Sequence, residues 1–247
     1  MIQVSWLIPV LPALAYAFTI IFTRKSKVLS AIISILTMAA CFLLSLGVFA
    51  ELFRLDPASR SVTLGWTWLQ IPPWNAQVGV LIDPLTVNML LVVTLVSLLV
   101  QVYSWGYMHG DERFSTYYSY LSLFTASMLV LVVSNNYLQI FMGWELVGLC
   151  SYLLIGFWYF KQEAAEACKK AFVVNRIGDM FFLMGVITIG MMFQTFDFNQ
   201  VQSIVTQGVA NGTYSHGFIA GIALLLFGGA VGKSAQFPLH EIGRAHV

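Results

Sequence analysis

Apolar residues in this chain come in long unbroken runs rather than in stripes. A helix needs ~20 apolar residues to cross a hydrocarbon core of ~30 Å. Seven runs qualify, at 4–22, 28–50, 85–108, 117–134, 137–160, 171–192 and 217–239. The runs are continuous and not alternating, so they predict helices and not the strands of a barrel. Between the second and third runs, 51–83 alternates in part through Val62, Leu64, Trp66 and Trp68. That period of two predicts a short hairpin at the interface. Trp66, Trp68 and Trp74, near Pro72 and Pro73, read as interface anchors. The stretch 161–170 reads as a solvated charge run with Glu166 three and four residues before Lys169 and Lys170, and 193–216 as an external loop without lysine or arginine. The expected fold class is therefore an all-α polytopic membrane protein of about seven helices.

Composition agrees with this. Of 247 residues, 59% are hydrophobic and 9% charged, and the mean hydropathy is +0.81. A soluble domain carries about 25% charged residues, so there is too little charge here to cover a soluble surface. The net charge of +1 gives no footprint for nucleic acid. Cys41, Cys150 and Cys168 lie far apart, and neither a disulfide framework nor a zinc or iron–sulfur site is expected. His109, His216, His240 and His246 form no mid-membrane pair on facing helices, so a haem-carrying electron-transfer role has little support.

Charge asymmetry orients the spans. One set of connections receives Arg24, Lys25, Lys27, Arg113, Lys161, Lys169 and Lys170; the other receives Arg54 and Arg60. The positive-inside rule places the first set in the cytoplasm and the N-terminus outside. Ala15, Tyr16 and Ala17 resemble a signal cleavage site, but the positive charges follow the first apolar run instead of preceding it. An uncleaved first span is expected.

Ionisable residues inside spans cost at least ~2.5–3.5 kcal/mol each at the bilayer centre and point to function by default. Glu145 lies ~12 Å into the fifth span at 1.5 Å per residue, between Gly143 and Gly148, where a neighbouring helix can approach closely. Arg176 and Asp179 are spaced i,i+3 and share one face of the sixth. Lys233 lies deep in the seventh, five residues before Pro238, which should break that helix near Ser234. Two opposite charges ~4 Å apart interact by ~4 kcal/mol at an effective dielectric of 20. Moving one proton against 100 mV takes ~2.3 kcal/mol. A Glu145–Lys233 pair is thus of the right size to drive a proton step, with lysine as carrier or gate and glutamate as switch. The competing readings are a structural ion pair for Arg176 and Asp179, and a static pair joining two helices for Glu145 and Lys233.

Three stretches carry a resemblance. They are Asn135-Asn136-Tyr137-Leu138 through Gly143-Trp144-Glu145-Leu146-Val147-Gly148 to Trp158, Lys170-Ala171-Phe172-Val173-Val174-Asn175-Arg176-Ile177-Gly178-Asp179, and Gly232-Lys233-Ser234-Ala235-Gln236-Phe237-Pro238-Leu239-His240. They resemble chain 5, or subunit L, of respiratory complex I, the NADH–quinone oxidoreductase. The resemblance implies a proton-pumping, antiporter-like subunit at the far end of a membrane arm. It matches Glu145 and Lys233 to the proton relay, Arg176 and Asp179 to a supporting charged pair, and Pro238 to the helix break. It implies no cofactor in this chain, with flavin and iron–sulfur clusters in partner subunits. Its partners would be the other membrane-arm subunits, the lipid bilayer and protons, in an energy-transducing membrane such as a bacterial cell membrane. A cation/proton antiporter or membrane-bound hydrogenase subunit of the same fold is the alternative. Three regions are expected: 1–115 with the first three spans, 116–240 as an incomplete antiporter-like unit, and 241–247 as an artefactual tail resembling adapter read-through. The family continues with an eighth helix and a second repeat, so an N-terminal fragment is expected.

Overall fold

The computed structural model describes residues 1–71 and 74–240. Pro72, Pro73, the Trp74 side chain and the 241–247 tail lie outside the described residues. Among the described residues, seven helices are long and apolar enough to cross a membrane. The chain divides into two compact units, one of residues 1–64 and 79–134, the other of 65–78 and 135–247.

Unit one holds α1 (Leu7–Ile21), α2 (Lys27–Leu52), α3 (Pro84–Tyr107) and α4 (Phe114–Val132). Sequence alone groups the first three spans and cuts after residue 115; by packing, α4 lies with them, because α1 runs along it. The helices turn small and hydroxyl residues inward, as Ser30, Ala31, Ser34, Cys41 and Ser45 of α2 show. Leu29, Leu36, Leu43 and Leu46 of the same helix are exposed. Lipid is as apolar as leucine, so burying leucine gains little there, whereas small residues let backbones approach. The inward hydroxyls bond their own helix, as Ser45 does to the Cys41 carbonyl at 2.9 Å. Pro12 lies inside α1 and has no N–H for the Ile8 carbonyl four residues earlier. The Cys41 thiol donates to that carbonyl instead, at 3.5 Å. Pro84 starts α3 behind an Asp83 cap that accepts from the Thr86 amide at 2.7 Å.

The 51–83 connection forms a two-stranded hairpin, β1 (Val62–Ile71) and β2 (Trp74–Ile82). Trp66 and Trp68 of β1 are exposed.

Unit two holds α5 (Tyr137–Ile155), α6 (Gln162–Phe193), α7 (Phe198–Ala210) and α8 (His216–Lys233). Two features differ from the sequence expectation and a third meets it. First, α6 begins at Gln162, so the charged stretch 162–170 is part of the same helix as the sixth span, with Glu163, Glu166, Lys169 and Lys170 exposed. Alanine, glutamate, glutamine and lysine are strong helix formers, and the Gln162 side-chain amide donates to the Glu166 carboxylate at 2.8 Å, one turn on. At 1.5 Å per residue, 32 residues make a rod of ~48 Å, longer than a ~30 Å core. Second, the supposed loop 193–216 contains α7, capped by Asp197, which accepts from the Gln200 amide at 3.0 Å. Its apolar face, with Val201, Ile204 and Val205, packs with Ile189 and Phe193 of α6 and Ile222 of α8. At 13 residues it is too short for a span and escaped the hydropathy reading. Third, the break expected from Pro238 is present: α8 ends at Lys233, with Ser234 as its C-cap. Pro238 biases the residue before it away from helix. The chain leaves the helix through Ala235 at φ 50, a left-handed conformation that costs an L residue roughly 1–2 kcal/mol.

Candidate functional site

Three helices of unit two bring Glu145, Arg176, Asp179 and Lys233 into one network. The approach of α6 to α8 makes this possible. A Cβ on Gly178 would sit 2.8 Å from the Gly232 Cα and 3.0 Å from the Gly228 carbonyl oxygen. Backbone therefore lies against backbone one position before Lys233 and one before Asp179. On α5, Gly148 plays a similar part, since a Cβ there would lie 3.4 Å from the Lys233 Nζ and 3.9 Å from the Arg176 Nη2.

Pairing within the network differs from the simplest sequence picture. Glu145 is in a salt bridge with Arg176. The Lys233 ammonium donates to the Trp144 backbone carbonyl and lies 4.8 Å from the centre of the Trp144 ring. Arg176 also faces Asp179, Nη1 to Oδ2 at 3.8 Å, so it stands between two carboxylates. Asp179 is nearly fully buried, its side chain 3% exposed, against 25% for Glu145 and 32% for Arg176. It is therefore the charge most dependent on protein partners. Its Oδ1 accepts the Trp144 indole N–H at 2.7 Å. Because α6 starts at Gln162, Arg176 and Asp179 lie about four to five turns along it.

Lys233 is the last residue of α8. Helix ends expose carbonyls and carry partial negative charge, which favours a cation there. The Ala230 and Val231 carbonyls are met by the amides of Ser234 at 2.9 Å and Gln236 at 3.1 Å. Pro238 lies beyond this turn, and its effect is on where the helix ends.

Trp144 is the member that sequence reasoning passed over. It touches Asp179 through its indole and Lys233 through its carbonyl and ring, and it is the chain neighbour of Glu145. Phe182 packs edge-on against its ring at 5.2 Å, and Phe172 lies under the Arg176 guanidinium at 4.7 Å. An indole in mid-membrane, apolar in body and polar at one atom, beside a glutamate was the available signal. The arrangement holds two cations and two anions in one connected group. In such a group Arg176 can pass its contact from one carboxylate to the other. Among the described residues there is no cluster of three or more histidine, cysteine or acidic side chains that could hold a metal ion.

Comparisons with known proteins agree with this architecture. Residues 134–241 match the family described as NADH:quinone oxidoreductase/Mrp antiporter, TM. Residues 68–118 match NADH-ubiquinone oxidoreductase (complex I), chain 5 N-terminus. The chain is 41% identical to NAD(P)H-quinone oxidoreductase subunit 5, organellar chromatophore 1, of Paulinella chromatophora, over 97% of this chain and 36% of the relative. It is 42% identical to F(420)H(2) dehydrogenase subunit L of Methanosarcina mazei, over 96% of this chain and 37% of the relative. The chain thus spans little more than a third of the length of these relatives. Among solved structures, a chain of the membrane-bound sulfane sulfur reductase, an archaeal respiratory membrane complex, superposes with a TM-score of 0.82. The overlap takes in 98% of this chain and 47% of that one at 19% identity, a likeness of fold.

Proposed function

We propose, for a chain that belongs to the complex I chain 5 family of antiporter-like membrane subunits, a proton-translocating role within an NAD(P)H–quinone oxidoreductase. Electron transfer from NAD(P)H to quinone is assigned to partner subunits, which carry the flavin and iron–sulfur clusters. This chain handles protons. It works beside the other membrane-arm subunits in an energy-transducing bilayer, with its N-terminus outside.

The observation that carries this reading is the four-charge network at the point where α8 stops. Lys233 is the proton carrier or gate, and Glu145 is the switch that sets whether the lysine keeps its proton. Arg176 and Asp179 are the supporting pair, and Pro238 sets the helix break. Arg176 is engaged by Glu145 and has Asp179 3.8 Å away as a second partner. When it moves to Asp179, Glu145 is freed to attract a cation. At an effective dielectric of 20 such a contact is worth ~4 kcal/mol at 4 Å, above the ~2.3 kcal/mol that moves one charge against 100 mV. Protonation and re-pairing can thus be coupled at a scale the membrane potential can drive and reverse.

Glu145→Gln in the full-length chain within its complex is expected to slow or uncouple pumping. NADH oxidation by artificial acceptors should survive, because the redox centres lie elsewhere. Normal proton translocation per electron together with normal quinone-coupled turnover would remove the switch role from Glu145. Trp144→Phe separates the indole from the ring. It keeps the aromatic face and the backbone carbonyl for Lys233 but removes the donor to Asp179. A hydrogen bond to a charged group is worth about 1.5–3 kcal/mol. Quinone-coupled turnover should therefore fall roughly tenfold or more, the factor for each ~1.4 kcal/mol, with a displaced pH profile. An unchanged profile would leave the indole without a part in the relay.

Orientation is tested by cysteine labelling from each side of the membrane. A cysteine placed at Lys161 should react with impermeant reagents only from the side that receives Arg24 and Lys27. Reaction from the opposite side would reverse the topology. The second reading is a cation/proton antiporter subunit of the same fold, favoured by the antiporter description of the family matching residues 134–241. Dependence of transport on sodium instead of on quinone turnover would select it.

A further inference from the structure

Buried hydroxyls of unit one are largely satisfied by their own helices. Thr94 donates to the Leu90 carbonyl at 2.7 Å, Ser119 to the Ser115 carbonyl and Thr125 to the Leu121 carbonyl, each at 2.9 Å. A short hydroxyl reaches the carbonyl one turn back. Gln101 of α3 is different. Its amide brings two N–H donors and an oxygen with two lone pairs. The residue is fully buried, and neither Nε2 nor Oε1 has a hydrogen-bond partner in the protein.

Two contacts join this stretch of α3 to α4. The Gln101 backbone carbonyl accepts the Tyr118 hydroxyl at 2.6 Å, and the Ser104 and Tyr117 hydroxyls meet at 3.2 Å. This part of α3 therefore faces the beginning of α4. Ser115, about one turn before Tyr118 on α4, has a buried hydroxyl oxygen that is likewise without a partner. Thr19 is a third such group, in the last turn of α1, which packs along α4. All three lie at the end of unit one where the chain turns between α1 and α2 and between α3 and α4.

An amide sealed in a bundle within hydrocarbon must find its partners inside the protein. Complete burial also keeps lipid headgroups and neighbouring subunits from reaching it. We propose that the Gln101 amide anchors a water-binding site inside unit one. The group presented is an amide, which both donates and accepts and carries no charge. Water matches that set, since a buried water typically makes about three hydrogen bonds. A cation would meet N–H donors with no carboxylate, and an anion would meet a carbonyl oxygen with no cation.

The site is tested in the full-length chain within its membrane complex, at a resolution that shows ordered solvent. One or more water peaks should lie within hydrogen-bond distance of Nε2 or Oε1 and be absent from Gln101→Leu, whose side chain needs no partner. Radiolytic hydroxyl-radical labelling of Tyr118, which depends on a nearby bound water, should fall several-fold in the same variant. If the leucine variant fails to assemble, Gln101→Met supplies the comparison, and the unsubstituted protein decides by itself. A dry amide, an amide bonded to another side chain, or labelling of Tyr118 that Gln101→Leu leaves unchanged overturns the proposal.

Discussion

Gly178→Leu in the full-length chain is expected to remove transport entirely, either by preventing assembly or by separating α8 from α6. A Cβ alone at this position would lie 2.8 Å from the Gly232 Cα and 3.0 Å from the Gly228 carbonyl oxygen. Both contacts are with backbone, which cannot turn aside as a flexible side chain does. Overpacking typically costs 1–3 kcal/mol, occasionally more, and a leucine against two glycine backbones belongs at the high end. The effect reaches the site directly, because Gly232 is the residue before Lys233 and Gly178 the residue before Asp179. Gly221→Ala is the matched control, since a Cβ there meets nothing within 4 Å. The complex should retain this subunit and its turnover in Gly221→Ala and lose both in Gly178→Leu. Retention of full activity in Gly178→Leu would mean that the close crossing of α6 and α8 does not hold the site together.

What the sequence made legible follows from what each signal encodes. Length and hydropathy located the spans, because a run of apolar residues near the bilayer thickness has few other uses. Alternation located the hairpin of β1 and β2 for the same kind of reason. The extent of α6 was hidden because residues 162–170 carry lysine and glutamate, which suit helices and solvent alike. Amphipathic α7 was hidden because its 13 residues fall below the length that a span requires, although Asp197 and Gln200 spell a capping pattern. The four ionisable positions could be read from the cost of charge in lipid. Their pairing could not. An i,i+3 spacing puts Arg176 and Asp179 on one face, but it does not say which neighbouring helix that face meets. The rotation of α5 puts Glu145 on Arg176 and leaves the Trp144 carbonyl for Lys233. The indole bond to Asp179 is likewise a product of tertiary packing and has no period in the sequence.

Relay and scaffold, the two accounts of the four charges, make opposite forecasts for one double variant. Glu145→Leu with Lys233→Leu removes one anion and one cation together, so the charge of the network stays balanced and Arg176 keeps Asp179, now 3.8 Å away. The two side chains are not paired with each other, since Glu145 bonds Arg176 and Lys233 the Trp144 carbonyl, so assembly and stability of the double variant are measured beside its translocation. If the charges only join helices, the double variant should assemble, hold its stability and pump as before. If Glu145 and Lys233 pass protons, it should assemble and lose translocation through this subunit. The deciding measurement is the number of protons moved per electron, with the full-length double variant in its complex reconstituted into sealed vesicles. The proposed relay predicts a ratio below that of the unsubstituted complex, with NADH oxidation by artificial acceptors intact. A ratio equal to that of the unsubstituted complex would contradict it.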